Sequence, residues 1–361
     1  MNRSNLCSSL FPKESLLSFE GFEFLTYFEK GNDDKPLIVF FPGWGHLGRI
    51  AYKGANIPSK EFLAEAFLEK GYSFLAISYP IEHPVYSRLY PQMQMRDWAR
   101  AAAAMTEEIC KKHTLSKLIA VHWSAAGQLV TCFHNATQEK KLNHPFSVSL
   151  EASPPILFSP EIVEVADIQP NGLISVKKLY SHWQQQLSAM LKYELDLKKY
   201  EEAFLGAFPV CLMGTSLMYS NGIMQENLAA CIKDRCIFDY QNAPLILSIS
   251  GDAQSDPYHP LVDSASWSFV NERKIYHGFL SPINSQIALL SNEEWVKLRN
   301  LIQVFSQQMV HSIEGNHFLL VGQKRVRQIV QIIEKAEKTV PDFSDELRNF
   351  FLPHKFRTTH N

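Results

Sequence analysis

The segment Val121-His122-Trp123-Ser124-Ala125-Ala126-Gly127 sets a serine between two recognisable elements. Lys117 to Val121 before it is apolar and of strand length, and Gln128 to Ala136 after it reads as a helix. A strand that turns sharply into a helix lifts a serine hydroxyl to the C-terminal edge of a sheet, and small residues after the serine make room for the turn. The start of the helix then helps to hold negative charge. The familiar G-x-S-x-G becomes His122-Trp123-Ser124-Ala125-Ala126, so His122 departs from the pattern where close packing is ordinarily required. The competing role for Ser124 is to cap the helix.

A base belongs with such a serine. Ile313-Glu314-Gly315-Asn316-His317-Phe318 follows the short strand Met309 to Ile313 and precedes the long helix Gln323 to Lys338. A histidine in the last strand-to-helix loop is where the order serine, acid, histidine ends. Phe41-Pro42-Gly43-Trp44-Gly45 follows an early apolar run. The backbone N–H of Trp44 could there join that of Ala125 in facing an oxyanion. His83, His259 and His277 show no metal-ligand spacing, so a metal is not expected. Cys110, Cys132 and Cys211 lie in apolar surroundings and read as packed core.

The elements that must position these residues alternate. Phe19 to Phe28 has the period of a half-buried strand or hairpin, and Leu37 to Phe41 is a strand buried on both faces. Ser59 to Lys70 reads as a helix, Tyr72 to Tyr79 as a strand, Met95 to Lys112 as a helix and Phe146 to Leu150 as a strand. Leu245 to Ser250 resumes the pattern, and Phe343 to Phe351 reads as a short terminal helix. The alternation predicts an α/β fold with a mostly parallel sheet. Two interruptions break it, from about Pro154 to Tyr240 and from Pro257 to about Gln308. In the first, Tyr180 to Phe204 carries Trp183, Leu187, Met190, Leu191 and Leu195 at helical spacing.

The chain has 361 residues, 46% apolar and 20% charged, which is globular composition. Its 35 Lys and Arg against 37 Asp and Glu leave a net charge of −2, with no basic excess for nucleic acid. Apolar runs such as Pro36 to Pro42 are too short to span a membrane. Met1 to Glu20 is polar, unlike a signal peptide, and six cysteines without a C-x-x-C pair do not suggest a disulfide scaffold. A cytoplasmic enzyme is the expectation.

On these motifs the chain resembles the α/β-hydrolase superfamily, and within it the thioesterase domains of polyketide and nonribosomal peptide synthesis. Trp123-Ser124 resembles the W-S of many of those elbows. Pro36 to Gly43 resembles their opening strand and oxyanion loop, and Glu314-Gly315-Asn316-His317-Phe318 their G-x-H-F ending. The resemblance covers about Leu37 to Ala152 and Pro244 to Glu334. It implies an α/β-hydrolase fold with a helical lid, divided as 1–153 for the first half of the core, 154–240 for the lid, and 241–361 for the rest, with a second insertion at about 257–308. It also leaves three acids open. Asp256 stands in an Asp-Pro pair common in the family after the strand that Leu245 to Ser250 forms, Asp252 lies nearer that strand's end, and Glu151 occupies the place where some synthase-type thioesterases keep their acid.

The implied function is hydrolysis of an ester or thioester by Ser124, His317 and one of these acids, without a cofactor. The substrate would be a small acyl ester or thioester, carried on coenzyme A or a carrier protein in the thioester case. The alternatives are an acyltransferase or lipase-like esterase on the same triad, and an inactive hydrolase fold that binds rather than cleaves.

Overall fold

The structure is a computed structural model that describes residues 10–156 and 165–351. Residues 1–9 of the polar N-terminal stretch and 157–164 of the first interruption lie outside the described residues, as do 352–361.

The apolar runs build one eight-stranded sheet. Glu14–Phe19 (β1) and Phe22–Glu29 (β2) pair as an antiparallel hairpin. Its two turn residues, Glu20 and Gly21, both take positive φ, which matches the twist of a two-residue hairpin. Leu37–Phe41 (β3), Ser73–Ser78 (β4), Leu118–Trp123 (β5), Phe146–Leu150 (β6), Leu245–Gly251 (β7) and Val310–Ile313 (β8) complete the sheet. The spatial order is β1-β2-β4-β3-β5-β6-β7-β8, and β2 alone runs against the rest. Every residue of β3 to β7 is buried, as expected of parallel strands covered on both faces. The functional consequence is that β5, β6, β7 and β8, which lead into the serine, the acids and the histidine, all end at one edge.

Helices cover the two faces. Leu63–Glu69 (α1) packs with the last helix, and Met95–His113 (α2) packs with Val130–Glu139 (α3). The start of α2 is held by a carboxylate from far away in sequence. Asp234, almost fully buried, accepts from the amides of Met95 at 2.9 Å and Arg96 at 3.1 Å. This places negative charge where the helix exposes unpaired N–H groups, and it ties the end of the first interruption to the core.

That interruption contains the helices Tyr180–Leu191 (α4), Leu197–Phe204 (α5) and Leu228–Asp234 (α6), with short strands between them. The sequence predicts one helix over Tyr180 to Phe204; the structure has two. Lys192 takes a left-handed φ of 63° and closes α4, and the Asp196 side chain caps α5 by accepting from Lys199 N at 2.9 Å. The apolar stripe turns inward: Leu187 has no exposed surface, and Leu191 and Leu195 are buried in the main core.

The second interruption folds mainly as Ser264–Ile275 (α7), packed on β7, and Asn292–Gln308 (α8). The final helix, Gln323–Phe351 (α9), runs through Pro341, where the sequence predicts two helices. A helix-interior proline removes a hydrogen bond and crowds the preceding turn. Here the apolar face continues in register across it, with Ile333, Ala336, Val340, Phe343 and Leu347 all buried. Phe343 stacks on Phe305 of α8 at 3.8 Å between ring centroids. Tertiary burial outweighs the local break. Among the described residues no helix is long and apolar enough to cross a membrane.

Candidate active site

β5 ends at Trp123, and Ser124 turns the chain with a φ of 58°, a left-handed conformation that costs a non-glycine residue energy. A short 3-10 helix, Ser124–Leu129, then leads into α3, so the regular helix begins two residues later than the sequence predicts. Two glycines make the turn possible. A Cβ on Gly43 would sit 2.6 Å from the Ser124 Cβ, and one on Gly127 would sit 2.2 Å from the Ser153 carbonyl oxygen. Gly43 brings the loop after β3 against the serine. Gly127 lets the turn pack on the chain beyond β6.

His122, the departure from the usual motif, is fully buried under this turn. Its ring stacks on Phe41 at 4.9 Å, and its Nδ1 lies 3.1 Å from the Ala126 carbonyl oxygen. Burial drives its pKa down to about 3 against that weaker hydrogen bond, so it packs as a neutral aromatic ring.

His317 lies opposite Ser124, with Nε2 at 2.9 Å from the serine Oγ. Its loop is held from several directions. Gly315 N donates to Asp252 Oδ1 at 3.1 Å, and the Asn316 side chain donates to Gln186 O of α4 at 3.0 Å. The indole N–H of Trp123 donates to the carbonyl of His317 at 2.8 Å. Trp123 therefore links the elbow to the histidine loop, a role the Trp-Ser pair in the sequence does not reveal.

The three candidate acids separate in space. Asp256 Oδ2 lies 3.2 Å from His317 Nδ1. The carboxylate faces that nitrogen, and the contact favours the charged imidazole and the ionised acid; such bonds often tighten only when substrate binds. Asp252 is occupied with the Gly315 amide. Glu151 is buried at the end of β6 with a left-handed φ of 46°, and its Oε1 accepts from Gly251 N. Burial is the main reason its pKa rises to about 7; Asp256 and Asp263 add to this, and His259 and the Gly251 amide oppose it. For Asp256 burial also favours the neutral acid, but His317 and His259 outweigh it and hold the pKa below the usual range. Burial lowers the pKa of His317, and Asp256 only partly restores it.

A second histidine, unrelated by motif, joins the group. His259 stacks on His317 with 4.7 Å between ring centroids and 20° between planes. Its Nδ1 lies 2.6 Å from Asp263 Oδ2, and its Nε2 lies 3.9 Å from Asp256 Oδ2. Asp263 Oδ2 also accepts from Ser153 Oγ at 2.7 Å. The signal in the sequence is the spacing of Asp256, His259 and Asp263, three and four residues apart. It is visible only once a helical turn is placed over His259–Asp263.

The loop after β3 has its own support. Tyr79 Oη donates to Gly43 O and accepts from Gly45 N, both at 2.8 Å. His46, fully enclosed, bridges Trp44 O and Tyr200 Oη at 2.7 Å each. Gly45 N is thus bonded to Tyr79 and His46 N to Gly43 O, and the Trp44 amide makes no hydrogen bond among the described residues. A cavity of about 390 Å³ opens over Ser124. Trp44, Ala125, Asp256, His259 and His317 line its floor, and Leu179, His182, Trp183, Gln186 and Met213 of the first interruption line its wall. Of the apolar stripe on α4, only Trp183 reaches this cavity.

No protein-family model and no curated protein matches the chain. Several solved structures do. One is a thioesterase domain from the curacin biosynthetic pathway, at 12% identity over 89% of this chain and 98% of that one, with a TM-score of 0.44. A carboxylesterase structure from Nitrososphaera gargenis gives 11% identity over 91% and 99%, with a TM-score of 0.48. A thermophilic esterase from Thermogutta terrifontis gives 11% over 91% and 98%, with a TM-score of 0.46. Likeness at this level carries no statement about activity. The strand order, with β2 reversed, and the serine turn after β5 themselves define an α/β-hydrolase fold.

Proposed function

We propose that the protein is a serine hydrolase that cleaves an ester or thioester through an acyl-enzyme. The observation that carries this reading is the line from Ser124 Oγ to His317 Nε2 at 2.9 Å and from His317 Nδ1 to Asp256 Oδ2 at 3.2 Å, on the floor of a cavity. His317 takes the serine proton as Oγ attacks the carbonyl carbon. The Trp44 and Ala125 amides hold the resulting oxyanion. His317 then gives the proton to the leaving alcohol or thiol, and the acyl-enzyme forms. Water, deprotonated by the same histidine, releases the acid. Asp256 orients the imidazole and stabilises its charged form.

The lowered pKa of His317 supports this role, because the base is then neutral and ready to accept a proton at neutral pH. Residues 154–240 act as the lid, with Trp183 and Leu179 offering an apolar wall to the acyl chain. A carrier-protein or coenzyme A thioester is the finer form of this proposal. It draws support from the Trp123-Ser124 pair, whereas an acid after β7 rather than β6 favours a simpler esterase.

The test is labelling with a fluorophosphonate probe, followed by a panel of esters and thioesters of rising chain length. Wild type should label and turn over, and folded Ser124→Ala should do neither. Full turnover by folded Ser124→Ala would overturn the proposal.

A further inference from the structure

We propose that Asp256, His259 and His317 form a binding site for one zinc-class transition-metal ion, which captures the triad's base and reversibly switches hydrolysis off. One ligand atom from each residue lies within 4.8 Å of the other two. Asp256 Oδ2 is 3.2 Å from His317 Nδ1 and 3.9 Å from His259 Nε2. Zinc bound tetrahedrally at about 2.0–2.1 Å sets its donors roughly 3.3 Å apart. The first spacing already fits; the second, and that between the two imidazole nitrogens, must close as the stacked rings turn toward the ion.

Three further observations point to a cation. The Nδ1 of His259 is engaged by Asp263 at 2.6 Å, so Nε2 is the nitrogen that faces Asp256, and an arriving ion displaces any proton held there. A carboxylate behind a histidine is how metal sites fix the ring and raise its basicity. Asp256 Oδ2 and His317 Nδ1 are buried and face each other, and no third group hydrogen-bonds to either among the described residues. The cavity touches all three ligands, giving an entry path and a fourth coordination position. Two imidazoles and one carboxylate suit zinc and its neighbours rather than magnesium or calcium, which prefer oxygen.

The consequence for chemistry is direct. A metal on Nδ1 of His317 leaves the ring's one proton on Nε2. That nitrogen then donates to Ser124 and cannot accept the serine proton. The switch rests on the serine hydrolase reading above; the binding of metal does not.

Binding is therefore measured first on Ser124→Ala protein, by calorimetry with Zn²⁺ and by the visible absorption of bound Co²⁺. One equivalent should bind with a tetrahedral cobalt spectrum, and Mg²⁺ should not bind. Asp263→Asn should weaken Zn²⁺ about 10–100-fold, and His259→Gln should abolish the spectrum. In wild type, Zn²⁺ should suppress ester hydrolysis and a chelator should restore it. Absence of binding, or undiminished binding in both folded variants, overturns the proposal. Binding that leaves turnover unchanged overturns the switch. A metal-free wild type with no hydrolysis would sink the hydrolase reading and leave the binding result standing.

Discussion

The Tyr79 hydroxyl donates to the Gly43 carbonyl at 2.8 Å. That carbonyl shares its peptide plane with the Trp44 N–H, so the bond aims the amide as well. Tyr79 is buried, and the same hydroxyl accepts from Gly45 N. A side chain on β4's trailing edge thereby sets the direction of a backbone donor beside Ser124.

Tyr79→Phe should accordingly lower kcat while KM changes little. The loss should stay below the roughly 10²–10³-fold cost of deleting an oxyanion donor outright. Affinity for a boronate that mimics the tetrahedral intermediate should fall in parallel. Unchanged kcat and unchanged boronate affinity would show that the loop holds its peptide without Tyr79.

The acid is decided by single-turnover acylation. Asp256→Asn should slow acylation by up to about 10⁴-fold, because the amide favours the wrong histidine tautomer. Glu151→Gln and Asp252→Asn should cost far less, since those carboxylates bond to Gly251 N and Gly315 N rather than to His317. If Glu151→Gln proves the more damaging, the acid lies after β6.

Leu187 and Trp183 sit on one helix but should fail differently. Leu187→Ala should destabilise the fold by about 2–5 kcal/mol, as a fully buried leucine does. Trp183→Ala enlarges the cavity wall and should shift preference toward longer acyl chains. Chemical denaturation and a chain-length series separate the two effects; unchanged chain preference in folded Trp183→Ala would remove that residue from the acyl pocket.

Acid stability follows from the buried histidines. His122 and His46 have folded pKa values of about 3, mainly through burial, against 6.5 for the free side chain. Between those values the unfolded chain binds more protons than the folded one, so stability falls as pH drops below 6.5 and the loss ends near pH 3. Each such histidine contributes a slope of about 1.4 kcal/mol per pH unit. His122→Phe should flatten the denaturant-derived stability curve by that amount between pH 6 and pH 4, and a curve parallel to wild type would contradict the account.

Ser124 and His317 are legible in the sequence because each sits where a local pattern changes. An apolar run of strand length stops, small or glycine residues follow, and a helical period begins. Such signals need only neighbours in the chain, and they also yield the strands of the core. The oxyanion loop is legible for the same reason, through its glycines, but Tyr79 is not, because its hydroxyl meets Gly43 across 36 positions of sequence.

The chain order alone established a serine, several carboxylates and a late histidine on an alternating α/β framework. Only the tertiary structure separated Asp256 from Glu151 and Asp252, because β6 and β7 lie side by side and both point their ends toward His317. Which carboxylate arrives depends on loop paths and on what else claims each oxygen, and neither is encoded in local spacing. The same holds for His259 and Asp263, which reach the site through one helical turn in a stretch without a clear period. It holds for α9, where burial of Phe343 and Leu347 carries a helix through a proline that local propensity alone would make a stop.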